Sequence, residues 1–370
     1  MAIHSVPIFD VPHLRVLGRT APDQKVLTLF WTASGLELSF TGSELWLEVN
    51  ADYATMEPWL SIELDGAWIS RFPVNKGASR FCVFRGMAVG PAKHVRIFKD
   101  TQAMHDDPHH LLQITALGFA DGEFLPLPAP AMRLEFIGDS ITSGEGAIGA
   151  VPEEDWISAF FSAENHYARM TADALKAEYR IVSQSGWGIV SGWDNDPRHA
   201  LPRFYEQVCG LAEGTVNADC GAQQAYDFSA KPVDIVVINL GTNDDGALHN
   251  SAWHDPETGN TYKQELADDG GIAPTAAATL KKTVADFLAT VRRCNPNARI
   301  VWAYGMLGDF LYPLLADAIA HYKALSGDQN ATLLKLPNTT DATVGARQHP
   351  GVKSHRAAAK VLTEFIKQSL

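Results

Sequence analysis

This chain is expected to fold as two domains, an all-β antiparallel sandwich over residues 1–124 and an α/β domain over 132–370 with helices flanking a parallel sheet. Three observations predict this. The 370 residues exceed what one core usually organises. Apolar residues in the first third alternate on a period of two, and beyond a proline-rich stretch short apolar runs alternate with helical patterns.

In the first third, Leu36, Leu38 and Phe40 share one face and Glu37 and Ser39 the other, before Gly42-Ser43 turns the chain into a second alternating run. Residues 59–64 and 67–72 flank Asp65-Gly66, a strong hairpin signal because both central residues of a type I′ turn need positive φ. Runs at 94–98 and 111–117 add strands, and no segment before residue 120 keeps a helical period. An antiparallel sandwich follows. Leu125-Pro126-Leu127-Pro128-Ala129-Pro130 lacks three backbone donors and favours an extended path, so residues 125–131 are read as a stiff connector.

Beyond it, strand-like runs at 133–137, 179–183, 233–240, 299–304 and 332–336 alternate with helical patterns such as 165–177, 275–293 and 354–367. Sheets of this kind carry their sites at the carboxyl ends of the strands. Two runs end in informative blocks, Gly138-Asp139-Ser140-Ile141-Thr142 and Gly241-Thr242-Asn243-Asp244. A serine at a strand end is poorly nucleophilic until a base takes its proton, and its attack needs fixed donors for the oxyanion. Ser140 is the candidate nucleophile, Asn243 a candidate donor, and His349, directly before Pro350, the candidate base. A helix N-cap serine would occupy the same kind of position as Ser140, and the three blocks taken together favour catalysis. Asp139 is read as a structural residue that holds the turn.

These blocks, in this order, resemble the SGNH hydrolase superfamily, also called GDSL esterases. With Phe30-Trp31-Thr32-Ala33-Ser34-Gly35 and the strand-rich segment before them, nearly the whole chain resembles carbohydrate esterase family 2. The resemblance implies a jelly roll followed by an SGNH domain, and a serine esterase that removes O-acetyl groups from xylan- or mannan-type carbohydrates. It implies His349 as the base in preference to His355, and an oxyanion hole of the Ser140 N–H, Asn243 and a glycine of Ser185-Gly186-Trp187-Gly188. The superfamily's second block favours Gly188, with Gly186 kept as its neighbour. Many SGNH enzymes carry an aspartate two or three residues ahead of the histidine, where this chain has Ala346 and Arg347. Either a backbone carbonyl orients His349 or a carboxylate from elsewhere does. The rival readings are a carbohydrate-binding protein that has lost turnover, and an esterase or thioesterase for longer acyl chains.

Flat indole faces suit sugar rings, which makes Trp187, Trp193 and Trp253 candidate substrate contacts. Residues 247–271 read as a long loop beside Asn243. Gly144-Glu145-Gly146-Ala147-Ile148-Gly149 matches a dinucleotide fingerprint but starts too late after its strand, runs into Val151-Pro152, and sets Glu145 against a pyrophosphate, so no nucleotide is expected. His105-Asp106-Asp107-Pro108-His109-His110 has no element to fix ligand geometry, so neither metal nor organic cofactor is expected. The formal charge of -13 argues against nucleic acid and anionic membranes, and a neutral substrate fits better. Four scattered cysteines read as isolated buried thiols. The N-terminal residues Met1 to Pro7 lack the basic start and apolar core of an export signal, so a cytoplasmic location is the expectation.

Overall fold

The computed structural model describes residues 2–22 and 24–369, so Met1 of the N-terminal segment lies outside it. The chain divides into two compact units. One runs to Pro130 and also takes in two later stretches, Trp156–Glu164 and Glu206–Tyr226; the other comprises Ala131–Asp155, Asn165–Tyr205 and the chain from Asp227 onward. The second unit is therefore not one continuous stretch from residue 132: two excursions of its chain complete the first.

The first unit is built from β1 (His4–Pro7), β2 (Arg15–Leu17), β3 (Leu27–Thr28), β4 (Gly35–Phe40), β5 (Glu44–Asp52), β6 (Trp59–Leu64), β7 (Ala67–Pro73), β8 (Gly77–Arg85), β9 (Lys93–Lys99), β10 (Leu111–Phe119) and β11 (Phe124–Leu125). One sheet has the order β1-β10-β5-β8, with β3 also on β10; the other has the order β11-β4-β9-β6-β7, with β2 also on β4. Every pairing is antiparallel. The inward faces of both sheets, among them Leu38, Phe40, Leu47, Val49, Ile97 and Ile114, form one apolar cluster, as period-two alternation demands. Asp65 and Gly66 both have positive φ, 52° and 80°, which gives the β6-β7 hairpin its primed turn. Strand β8, not among the strands expected from the sequence, is exposed over much of its length and buries only Val83 and Phe84. Cys209 and Cys220 are buried as expected, whereas Cys82 on β8 is exposed, because the outer part of that strand faces solvent.

The remaining elements are β12 (Arg133–Gly138), α1 (Ser140–Ser143), α2 (Tyr167–Leu175), β13 (Glu178–Ser183), α3 (Thr215–Asp219, in the second excursion), β14 (Ile235–Asn239), α4 (Thr242–His249), β15 (Trp253–His254), β16 (Thr261–Tyr262), α5 (Pro274–Cys294), β17 (Arg299–Tyr304), α6 (Tyr312–Ser326), β18 (Ala331–Lys335) and α7 (Val352–Ser369). Strands run in the order β13-β12-β14-β17-β18, all parallel. The three central strands are almost wholly buried, which explains their unbroken apolar runs. Helix α5 starts with Pro274, whose missing N–H costs nothing in a first turn, and buries Leu280, Val284, Phe287, Leu288 and Val291 on one stripe. Residues 247–271 are more ordered than a plain loop. The end of α4 is capped by the Lys263 ammonium, which donates to the carbonyls of Ala247 and Leu248, both at 2.9 Å, and of Asn250. The β15-β16 hairpin follows. Among the described residues no helix is long and apolar enough to cross a membrane.

Candidate active site

Strand β12 delivers Gly138 and then Asp139, which caps α1 by accepting the Ile141 N–H at 3.0 Å. A Cβ on Gly138 would fall 2.0 Å from Thr142 Oγ1 and 2.9 Å from the Asn239 carbonyl, so the turn between β12, α1 and β14 closes only around glycine. Thr142 Oγ1 meets Tyr167 Oη at 2.9 Å and Ser143 Oγ meets Ser183 Oγ at 2.8 Å, pinning α1 from both sides. Ser140 is its first helical residue, 5% exposed, with a first-turn N–H that has no intrahelical acceptor.

His349 arrives from 209 residues away, and its Nε2 lies 3.0 Å from Ser140 Oγ. Its Nδ1 lies 2.8 Å from the carbonyl oxygen of Arg347. A carbonyl can only accept, so Nδ1 carries the proton, and Nε2 is left as the acceptor that a base must be. Of the two alternatives left by the sequence, the backbone carbonyl is the one the structure forms. Its direction comes from an uncommon turn: Arg347 and Gln348 are both left-handed, with φ of 54° and 56°. Such residues cost about 1 to 3 kcal/mol each and persist where their surroundings over-determine them. His355, by contrast, is fully buried in α7, accepts the Tyr167 N–H at 3.2 Å through Nδ1, and stacks on the Tyr167 ring. Desolvation, helped by His166 and His349, pulls its pKa down to about 3, so it stays neutral as a packing residue.

The donors for an oxyanion divide differently from the sequence expectation. Asn243 is in the first turn of α4, and its Nδ2 gives one hydrogen to the Trp187 carbonyl at 2.8 Å; the second remains. The Gly188 N–H donates to the His199 carbonyl at 3.1 Å, within a parallel bridge between Gly188 and Ala200. Gly188 is therefore a correction, since its amide is already spent. Gly186, at φ 79°, has its amide engaged by no described group, and its own carbonyl accepts from the Trp193 N–H at 3.0 Å. The turn is held from behind by Asp244, whose two oxygens accept the N–H groups of Ile189 at 2.7 Å and Val190 at 2.8 Å. Burial raises the Asp244 carboxyl to about 6 against the pull of these two bonds. Asp244 went unassigned in the sequence although it adjoins Asn243; an acidic residue after a strand-end block was the available signal. Burial likewise raises Asp139 to about 7, with the Ile141 N–H opposing and Asp244 and Glu145 adding to the shift.

The three tryptophans separate. Trp187 is only 3% exposed, stacked on His199 at 5.1 Å and tilted against Phe204, so it offers no face to a sugar and its expected substrate contact is corrected to packing. Trp193 is 53% exposed, and its ring edge would sit 3.2 Å from a Cβ on Gly186, which places an open indole beside the free amide. Trp253 is half-buried in the β15-β16 hairpin, under the Arg198 guanidinium at 4.7 Å and beside Tyr262. Asp194, Asp196 and His199 bring three ligand-type atoms within 4.8 Å of one another, but Arg198 already pairs with Asp196 at 2.6 Å and supplies the positive charge there.

A serine that follows a central strand of a parallel sheet, and a tautomer-fixed histidine 3.0 Å from its hydroxyl, form the pair that a serine hydrolase uses. Residues 136–357 match the GDSL-like Lipase/Acylhydrolase family, and the chain belongs to it. An acetyl xylan esterase, Est2A from Butyrivibrio proteoclasticus, superposes with a TM-score of 0.98 at 41% identity, over 100% of this chain and 99% of that one. The chain is 25% identical to an acetylxylan esterase / glucomannan deacetylase of Cellvibrio japonicus, over 99% of this chain and 91% of that protein. It is 27% identical to the cellulase/esterase CelE of Acetivibrio thermocellus over 92% of this chain, but spans only 37% of that longer protein.

Proposed function

We propose that this chain is a carbohydrate O-acetyl esterase acting on acetylated xylan- or mannan-type chains through an acyl-enzyme. The observation that carries the reading is the 3.0 Å approach of His349 Nε2 to Ser140 Oγ, with Nδ1 already held by the Arg347 carbonyl. Ser140 Oγ attacks the acetyl carbonyl carbon while its proton passes to Nε2. The carbonyl oxygen becomes an oxyanion, received by the N–H groups of Ser140 and Gly186 and the remaining Asn243 hydrogen. Collapse of the intermediate breaks the bond to the sugar oxygen, which leaves with the proton from His349. A water, deprotonated by the same histidine, then releases acetate and restores Ser140. The exposed Trp193 ring beside Gly186 supports a sugar as the leaving alcohol, and the acetyl xylan esterase likeness supports acetate as the acyl group.

The test is release of 4-nitrophenol from its acetate and octanoate esters, with mass spectrometry of acetylated xylo- and manno-oligosaccharides. Wild type should cleave the acetate faster than the octanoate and remove acetyl mass from an oligosaccharide set. Ser140→Ala should lose about 10⁴-fold or more in kcat. Equal inertness of both proteins would sink the hydrolase reading, and rates rising toward octanoate would point to a longer acyl group.

A further inference from the structure

The Gly144-Glu145-Gly146 turn is the surface on which the histidine loop docks. Gly144 ends α1 in the left-handed conformation, at φ 77°, and Gly146 repeats it, at φ 66°. A Cβ on Gly146 would lie 2.3 Å from the Ala346 carbonyl oxygen and 2.7 Å from His349 Cβ; one on Gly345 would lie 2.0 Å from the Gly146 oxygen. Two glycines thus let the backbones meet, and the Ala346 N–H donates to the Gly146 carbonyl at 3.0 Å. Between them, Glu145 is 2% exposed. Its Oε1 accepts from Arg347 Nε at 2.9 Å and lies 3.8 Å from His349 Nε2.

Arg347 is the residue whose left-handed backbone turns a carbonyl onto Nδ1 of the base. Three contacts hold it there: its N–H to the Glu153 carbonyl at 2.7 Å, its Nη1 to the Glu154 carbonyl, and its Nε to Glu145. The first two come from main chain and are indifferent to side-chain identity. Glu145 brings the one negative charge of the three, and brings it within reach of the imidazole.

We propose that Glu145 is a positioning residue that performs the work of the absent triad aspartate, by fixing Arg347 so that its carbonyl orients His349 and by stabilising the imidazolium formed when Ser140 gives up its proton. The inference rests on the hydrolase reading above. It differs from a direct triad in that orientation and charge reach the two sides of the ring separately, the carbonyl at Nδ1 and the carboxylate near Nε2.

The groups that face His349 are few. Glu145 approaches from the end of α1 and Arg347 lies on the histidine's own loop. Glu154 takes the Gln348 amide at 3.3 Å, and Asp139 caps α1. His355 faces it from α7 and is neutral there. Asp139 is itself raised chiefly by burial and in part by the Glu145 charge, so neutralising Glu145 lowers the Asp139 pKa.

The test compares Glu145→Gln with Glu145→Asp on 4-nitrophenyl acetate across pH, beside wild type and Ser140→Ala. Glutamine keeps the size and can still accept from Arg347, but removes the charge; aspartate keeps the charge on a shorter stem. The expected result is that Glu145→Gln lowers kcat about tenfold at unchanged KM and moves the acid limb of kcat/KM down by about one pH unit. Glu145→Asp should stay closer to wild type on both measures. A packing role predicts the reverse order, with the isosteric glutamine the milder change, and that order or an unmoved acid limb overturns the proposal. Should the glutamine variant not fold, Glu145→Ala replaces it and the movement of the acid limb alone decides, since a packing role lowers kcat without moving that limb. A wild type no faster than Ser140→Ala would defeat the hydrolase reading, and this inference with it; an active wild type with an indifferent Glu145 would defeat this inference alone.

Discussion

Asn243 has two amide hydrogens and gives one to the Trp187 carbonyl, which leaves the other for the oxyanion in the mechanism proposed above. Asn243→Ala removes both. Loss of a single oxyanion donor costs about a hundred- to a thousand-fold in kcat, so a fall of that size, with KM changed by less than threefold, is the expected outcome on 4-nitrophenyl acetate. A fall of under tenfold would mean that the amides of Ser140 and Gly186 carry the oxyanion unaided. At this scale, what could be read from sequence was what is local. Ser140 and Asn243 end apolar runs, and His349 precedes a proline. Which glycine amide is free was not readable, because it is decided by the bridge from Gly188 to Ala200. Nor was the partner of His349, since a backbone carbonyl has no letter in the sequence. Glu145 sat inside a Gly-x-Gly pattern whose real partner, residues 345–349, lies about two hundred positions away.

Among the elements, β4 shows how a strand's polar face can matter as much as its buried one. Glu37 points away from the apolar cluster and is held by two side chains from neighbouring strands, the Arg15 guanidinium on β2 through Nη1 and the His94 ring on β9 through Nε2, each at 2.7 Å. Partial burial alone would raise its pKa, but the hydrogen bond from His94 and the Arg15 charge together lower it to about 2. A depressed carboxylate pKa stabilises the fold above the unfolded value near 4.5 and loses that contribution as pH falls through about 2. The difference corresponds to about 3 kcal/mol at neutral pH. Glu37→Gln should therefore unfold at lower urea than wild type at pH 7, and the gap should shrink by roughly half at pH 3; a gap independent of pH would show that the interaction is not ionic. The alternation that revealed β4 gave its two faces but not its neighbours. Strand order depends on long-range pairing, and β8, mostly exposed, buries only Val83 and Phe84 and so gives a short apolar signal.

At the scale of the whole molecule, the two units are not two consecutive lengths of chain. Proline spacing at 125–131 marks a change of architecture, but it could not show that residues 156–164 and 206–226 go back to complete the first unit. The contacts that hold these stretches are buried and specific. Trp31 Nε1 donates to the Val208 carbonyl at 2.6 Å, the Ala163 N–H to Asp100 at 2.7 Å, and Arg71 Nη2 to the Phe161 carbonyl at 2.8 Å. Arg71 also pairs with the wholly buried Asp100, so removing one partner strands a charge without water, a loss of about 3 to 5 kcal/mol. A fragment comprising residues 131–370 would keep both stretches and lose everything they pack against, exposing Phe161, Val208 and Leu211, each at most 1% exposed in the full chain. Expressed alone, that fragment should be insoluble or should melt without a cooperative transition, while the full chain unfolds cooperatively in calorimetry. A soluble 131–370 fragment with a sharp transition and wild-type turnover of 4-nitrophenyl acetate would show instead that the excursions are dispensable and that the catalytic unit folds by itself.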